Sequence, residues 1–342
     1  MCSGGEHKVI HARTPAMSPP PRRIVRMDPD SEVTFEFVPV IRQYKSGRVE
    51  RLLPTNPVPP SVDAATGVTS KDATVDPATG LWARLYLPAA GADDKLAIVV
   101  YLHGGGLVAG SAADAPEHAF LNRLCARARV LAVSVEYRLA PEHPVPACYD
   151  DAWAALRWAA SAADPWIRDH GDRDRVFVVG YSAGGNIAHN VALRAAGSDR
   201  PVRIGGLGLV HPYFLSGEKG LAEGEMKHAW LRAKLEEMWA FACAGRTTGL
   251  DDPRVNPVAD GAESLTRLRL ACGRVLVCLA EDELWFRGKA YYDGLLGSGW
   301  AEEDAELLDS VGEDHQFFLQ EPESAMALAL MDRLVALFSR NQ

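Results

Sequence analysis

Short apolar runs alternate with longer stretches of helical periodicity through most of this chain. The runs are Ala97–Leu102, Val130–Val135, Val176–Val179, Gly206–Val210, Val275–Leu279 and Ala305–Leu308, each of strand length. Helices are expected between and after them, near 116–128, 148–161, 184–196, 287–296 and 323–339. In the last, Met326, Leu330, Leu334, Leu337 and Phe338 fall on one face of a helix. Nearly continuous apolar strands alternating with helices predict a mostly parallel sheet covered on both faces. Ahead of this region, Val33–Leu53 alternates apolar and polar residues around Lys45-Ser46-Gly47-Arg48, the pattern of a hairpin. Pro54–Ser61 reads as an extended surface connection, and Leu81–Pro88 as a further strand.

Two stretches depart from the alternation. Between Phe214 and Arg254 the residues Trp230, Leu231, Leu235, Met238, Trp239 and Phe241 recur at helical spacing. They suit either a helical lid over the sheet's carboxyl edge or a helix packed into the core. Residues 1–27 are Pro-rich, with five Lys or Arg against the single acid Glu6. A disordered extension over 1–32 and one domain over 33–342 are expected, in the cytoplasm. The alternative is a plastid transit segment in 1–27.

With 47% hydrophobic residues the 342-residue chain supports a large core, and its net charge of −9 argues against a nucleic-acid partner. No apolar run is long enough to span a bilayer. The six cysteines show no CxxC pair and no Cys/His ligand spacing, so neither a metal nor any other cofactor is expected.

The chemistry concentrates where strands end. Val176–Val179 runs into Gly180-Tyr181-Ser182-Ala183-Gly184, and a helical pattern follows at once. GxSxG between strand and helix describes a strained turn that exposes a nucleophilic serine, with small residues letting neighbouring backbone approach. Gly180 and Gly184 support that turn, and the N-terminus of the following helix favours negative charge beside Ser182. After Ala97–Leu102 comes His103-Gly104-Gly105-Gly106-Leu107. Three glycines let a loop present N–H groups inward, as an oxyanion hole requires, with Ala183 contributing another donor. A phosphate-binding loop is disfavoured, because no P-loop lysine follows. His103 either holds this loop or is itself the base.

A hydrolase of this kind orders its groups nucleophile, acid, histidine. Asp282 follows the strand Val275–Leu279, flanked by Glu281 and Glu283, and the helical start after it favours the middle acid. Only His315, in a polar turn after Ala305–Leu308, lies beyond Asp282. Ser182, Asp282 and His315 are therefore the expected triad, acting on a small-molecule ester.

These motifs together resemble the hormone-sensitive-lipase-like branch of the α/β hydrolases, and especially plant carboxylesterases. The resemblance spans about residues 33–340 and rests on HGGG at 103–106, YRLAPEHPVPA at 137–147, GYSAGGNIAHN at 180–190, DDPRVNPVA at 251–259 and EDHQFF at 313–318. It implies an α/β-hydrolase fold, a serine carboxylesterase acting on small hydrophobic esters, and a cap from about 33–53 and 214–250. Pocket residues expected on that basis are Leu107, Tyr181, Trp230, Trp239, Trp285 and Phe317. Two positions depart from the family: Tyr181 stands where Asp is usual, and Leu107 where an aromatic is. Relatives include gibberellin receptors, which lack the triad histidine, and dehydratases or cyclases, some with threonine as nucleophile. His315 and Ser182 set this chain apart from those patterns.

Overall fold

The computed structural model describes Met1 and residues 28–89, 95–199, 202–217, 229–259 and 263–339. Of the disordered extension expected over 1–32, residues 2–27 lie outside them, while Pro29–Ser31 forms a short 3-10 helix capped by Asp28.

Three short strands, β1 (Val33–Phe37), β2 (Ile41–Tyr44) and β3 (Val49–Arg51), form a small antiparallel sheet. The expected hairpin turn at Lys45–Arg48 joins β2 to β3, with the Tyr44 N–H donating to the Arg48 carbonyl at 2.9 Å. An additional turn at 38–40 divides the first arm, giving three strands where the alternation suggested two.

The main sheet holds β4 (Thr69–Asp76), β5 (Leu81–Leu87), β6 (Leu96–Leu102), β7 (Val130–Glu136), β8 (Gly171–Tyr181), β9 (Gly206–Val210), β10 (Val275–Ala280) and β11 (Ala305–Ser310). Its order is β11-β10-β9-β8-β6-β7-β5-β4. The six strands from β11 to β7 are parallel, while β5 and β4 are antiparallel at one edge.

Every residue of β6 and β10 is buried, which is why both read as unbroken apolar runs. Strand alternation sends their side chains to two cores. Ile98, Val100 and Val178 join one core with α2 (Ala147–Ala160), α4 (Ala183–Ala196) and α7 (Trp285–Gly297). Val99, Tyr101, Phe177 and Tyr181 join the other, with α1 (Ala115–Ala128) and α9 (Ala325–Ser339). Further short helices are α3 (Pro165–His170), α6 (Glu263–Leu268) and α8 (Phe317–Gln320), and α5 (Ala229–Ala242) adds Leu235, Met238, Trp239 and Ala242 to the first core.

Register places the chemistry. Leu102 pairs with Gly180, and Tyr181 with Val210, so β6, β8 and β9 end side by side. The loops bearing His103–Gly106, Ser182, Asp282 and His315 thus gather at the carboxyl edge, where parallel sheets bind ligands.

Candidate active site

Ser182 sits between β8 and α4 with φ 54° and ψ −116°, a left-handed backbone that a serine adopts only under constraint. The constraint is visible around it. Its N–H donates to the Val210 carbonyl at 2.8 Å, and its carbonyl accepts from Tyr213 N–H at 2.9 Å. A Cβ on Gly180 would collide with the Gly184 carbonyl, and one on Gly184 with those of Leu102 and His103. The two glycines of the motif are therefore steric requirements of the turn.

His315 bridges the serine and the acid. Its Nε2 lies 2.9 Å from Ser182 Oγ and its Nδ1 2.6 Å from Asp282 Oδ2. Asp282 is held in turn by the Leu284 N–H, which donates to Oδ1 at 2.9 Å. Glu281 is turned away and accepts from the Gly312 N–H.

The glycine run after β6 folds back on itself, with Val108 and Ala109 both donating to the Gly105 carbonyl. Gly105 and Gly106 have φ of 114° and 63°, and a side chain at Gly105 would strike the Ala109 carbonyl. Among the described residues, this leaves the N–H groups of Gly105, Gly106 and Ala183 without a backbone acceptor outside their own segment. His103 is not hydrogen-bonded to the serine. Its Nδ1 meets the Gly104 carbonyl at 2.7 Å, its ring stacks on Tyr137 at 4.2 Å, and burial lowers its pKa to about 4. A neutral imidazole with its proton on Nδ1 holds the loop, the first of its two expected roles.

Comparison with known proteins agrees with this geometry. Residues 99–319 match the family described by the alpha/beta hydrolase fold. The chain belongs to the α/β-hydrolase fold family. Among curated relatives, the hydrolase is 40% identical over 309 residues to probable carboxylesterase 2 of Arabidopsis thaliana, covering 90% of this chain and 96% of that one. It is 41% identical over 337 residues to tuliposide A-converting enzyme 1, chloroplastic, of Tulipa gesneriana, covering 96% and 83%. Among solved structures, an esterase of the archaeon Pyrobaculum calidifontis superposes with a TM-score of 0.64 at 27% identity, over 79% of this chain and 83% of that one.

The expected pocket residues divide. Tyr181 is buried beside the triad, its ring 5.2 Å from that of His315. Leu107 is buried directly after the glycine run at φ 69°. Phe317 is buried against His211, with centroids 5.5 Å apart. Trp230 is 67% exposed on α5. Trp239 is buried, its Nε1 donating to Thr247 Oγ1 at 2.9 Å. Trp285 donates to Asp309 Oδ1 on β11 at 2.9 Å. An indole brings an N–H that must find an acceptor when buried, and those acceptors fix where two of these rings sit.

Two residues at the site were not among the expected site residues. Met238 of α5 packs on the oxyanion loop so closely that a Cβ on Gly106 would meet its thioether. His211, just after β9, is buried and places Nδ1 2.8 Å from the His315 carbonyl. Neither has a motif; only their position after a parallel strand or on a helix facing the loop hints at a role. The ligand atoms of His211, Asp282 and His315 lie within 4.8 Å of one another. Both His315 nitrogens are engaged by Ser182 and Asp282, so a metal there would displace the triad's own bonds.

Proposed function

We propose that this hydrolase is a serine carboxylesterase in which Ser182, His315 and Asp282 perform the reaction. The observation that carries the reading is the continuous chain of bonds from Ser182 Oγ through the His315 ring to Asp282. His315 Nε2 takes the Ser182 proton as the oxygen attacks the ester carbonyl carbon. Gly105, Gly106 and Ala183 N–H groups hold the resulting oxyanion. Its collapse breaks the ester C–O bond, and the leaving alcohol takes the proton from His315. Water then attacks the acyl-enzyme, giving its proton to His315; the bond between the acyl carbon and Ser182 Oγ breaks, Oγ takes the proton back from His315, and the carboxylic acid leaves. Asp282 keeps the imidazole in the tautomer with a proton on Nδ1 and stabilises its charged form.

Residues 33–53 and 214–250, of which 218–228 lie outside the described residues, are proposed as the cap, supported by Phe35 of β1 stacking on Phe241 of α5 at 3.9 Å between centroids. Small esters with a hydrophobic part are the proposed substrates. A cytoplasmic location is proposed, with a plastid as the alternative favoured by the chloroplastic Tulipa gesneriana relatives.

Replacing Ser182 with Ala is expected to lower hydrolysis of a short-chain aryl ester by roughly 10⁴-fold or more. Peptide mapping after an organophosphate should find the adduct on Ser182. Near wild-type turnover in Ser182→Ala, or an adduct elsewhere, would overturn the assignment. Tight ligand binding without an acyl-enzyme would favour a receptor.

A further inference from the structure

Gly104 differs from the two glycines that follow it. Gly105 and Gly106 have left-handed backbones, but Gly104 does not, so its conformation alone does not call for glycine. What excludes a side chain there is the ring of Tyr181. A Cβ on Gly104 would fall 2.5 Å from Tyr181 Cε1 and 2.6 Å from its Cδ1, whereas Ser182 Cβ would stand at an ordinary 3.4 Å.

Tyr181 is the last residue of β8, and strand alternation turns its side chain into the core that α1 and α9 cover. There the ring touches more than Gly104. Its centroid lies 5.2 Å from that of His315 at a tilt of 39°, and Phe318 and His211 meet it edge-to-face at 5.1 and 6.2 Å. Tyr181 is buried, and its hydroxyl has no hydrogen-bond partner among the described residues. Packing, rather than a polar contact, is therefore what this side chain supplies. In a close-packed interior the ring cannot retreat from Gly104 without moving a neighbour, and one of those neighbours is the catalytic imidazole.

Ester cleavage needs the oxyanion donors and the imidazole at fixed places around one carbon, and a misplacement of about 1 Å can cost about 10²-fold in rate. The loop that begins at Gly104 carries donors, His315 carries the proton, and the Tyr181 ring is in contact with both. We infer that Tyr181 is a positioning residue whose ring sets the spacing between the oxyanion loop and His315. The inference rests on the esterase reading above and goes beyond it: residue 104 is glycine because residue 181 is large, and the two act as a pair. Asp, usual before the nucleophile in the family, offers no such face, so the pairing belongs to the aromatic in this chain.

A double-mutant cycle tests the pair, read as kcat and KM for p-nitrophenyl butanoate, with urea midpoints to confirm that each variant is folded. Tyr181→Phe keeps the ring and should stay within about threefold of the wild-type protein in both constants. Tyr181→Ala removes the spacer and Gly104→Ala pushes against it. Each should lower kcat by roughly 30-fold, with KM changed by less than about threefold. Together they should cost no more than about twofold beyond Tyr181→Ala alone, because the added methyl enters space that the ring has left. Independent effects would multiply to roughly 10³-fold, and that result overturns the inference. Equal losses in Tyr181→Phe and Tyr181→Ala do so too, by placing the role in the hydroxyl, as does a loss carried by KM. Should Tyr181→Ala not fold, Tyr181→Val replaces it in the cycle with the same expectations. A wild-type protein that cleaves no ester sinks the esterase reading itself and the inference with it; a cycle that fails while the wild-type protein turns over sinks only the inference.

Discussion

His211 shows how a residue outside the triad governs it. A carbonyl oxygen only accepts, so the 2.8 Å contact from Nδ1 to the His315 carbonyl puts the His211 proton on Nδ1. Burial lowers its pKa to about 4, so the ring is neutral wherever the triad works. The bond pins the backbone that carries the catalytic imidazole, and the Phe317 ring packs against His211 with centroids 5.5 Å apart. Loss of positioning falls on kcat rather than on KM. His211→Leu should lower kcat by roughly tenfold with KM little changed, and His211→Asn, which keeps a donor near Nδ1, should recover most of it. Equal losses in both variants would mean that the ring's bulk matters and its N–H does not. The triad itself was legible because three motifs occur in hydrolase order and each follows an apolar strand. His211 was not, since a lone histidine after a strand carries no spacing signal. For Trp239 and Trp285 the structure adds what the sequence could not give, the acceptors Thr247 and Asp309 for their indole N–H groups.

At the scale of elements, the small N-terminal sheet reaches the oxyanion loop through one side chain. Arg51, the last residue of β3, donates from Nε to the Val108 carbonyl at 2.8 Å. Its other nitrogens meet Glu142 at 2.9 and 2.7 Å and the Ala140 carbonyl at 3.2 Å. A planar fork serves these acceptors at once, and a lysine cannot reproduce it. Arg51→Lys should cost about 1 kcal/mol in urea unfolding, the pair with Glu142 being part-exposed, and lower kcat several-fold by loosening the loop. Glu142→Gln should be milder, because the bond to Val108 survives. A larger kcat effect from Glu142→Gln would place the role in the ion pair instead. All five helices read from periodicity occur with ends within about two residues of expectation, as amphipathic stretches flanked by turns should. β4 was missed because its sequence, TSKDATVD, lies at the sheet's edge with mostly half-buried residues and shows no apolar run. The stretch that suited either lid or core holds α5. α5 buries Leu235, Met238, Trp239 and Ala242, while Trp230 stands exposed.

Across the whole molecule, burial of titratable groups couples stability to pH. His103, His189 and His211 are buried, and desolvation lowers their pKa values to about 4, 3 and 4. In the unfolded chain histidine titrates near pH 6.5, so unfolding between about pH 4.5 and 6.5 takes up a proton at each of these sites. Their contribution to stability is complete above that window and is lost as pH falls through it. Glu117 acts in the opposite direction. Burial raises its pKa to about 7, so the folded state keeps a proton that the unfolded state releases above about pH 4.5. Asp114 and Glu136 are also shifted upward by burial and oppose the histidines in the same sense. The histidines outnumber Glu117, and the balance near pH 5.5 is an uptake of about one to two protons on unfolding, or roughly 2 kcal/mol per pH unit. Urea midpoints measured from pH 7 to pH 5 should therefore fall steadily. His189→Gln isolates one contribution away from the triad, because His189 lies in α4 and its Nδ1 meets Tyr291 Oη at 3.0 Å. Glutamine can keep a bond to that hydroxyl but takes up no proton. The variant should show a shallower pH dependence, by about one proton, with esterase activity largely retained near neutral pH. A slope identical to that of the wild-type protein would mean that His189 is protonated to the same extent in both states, and that its burial does not carry the acid sensitivity of the fold.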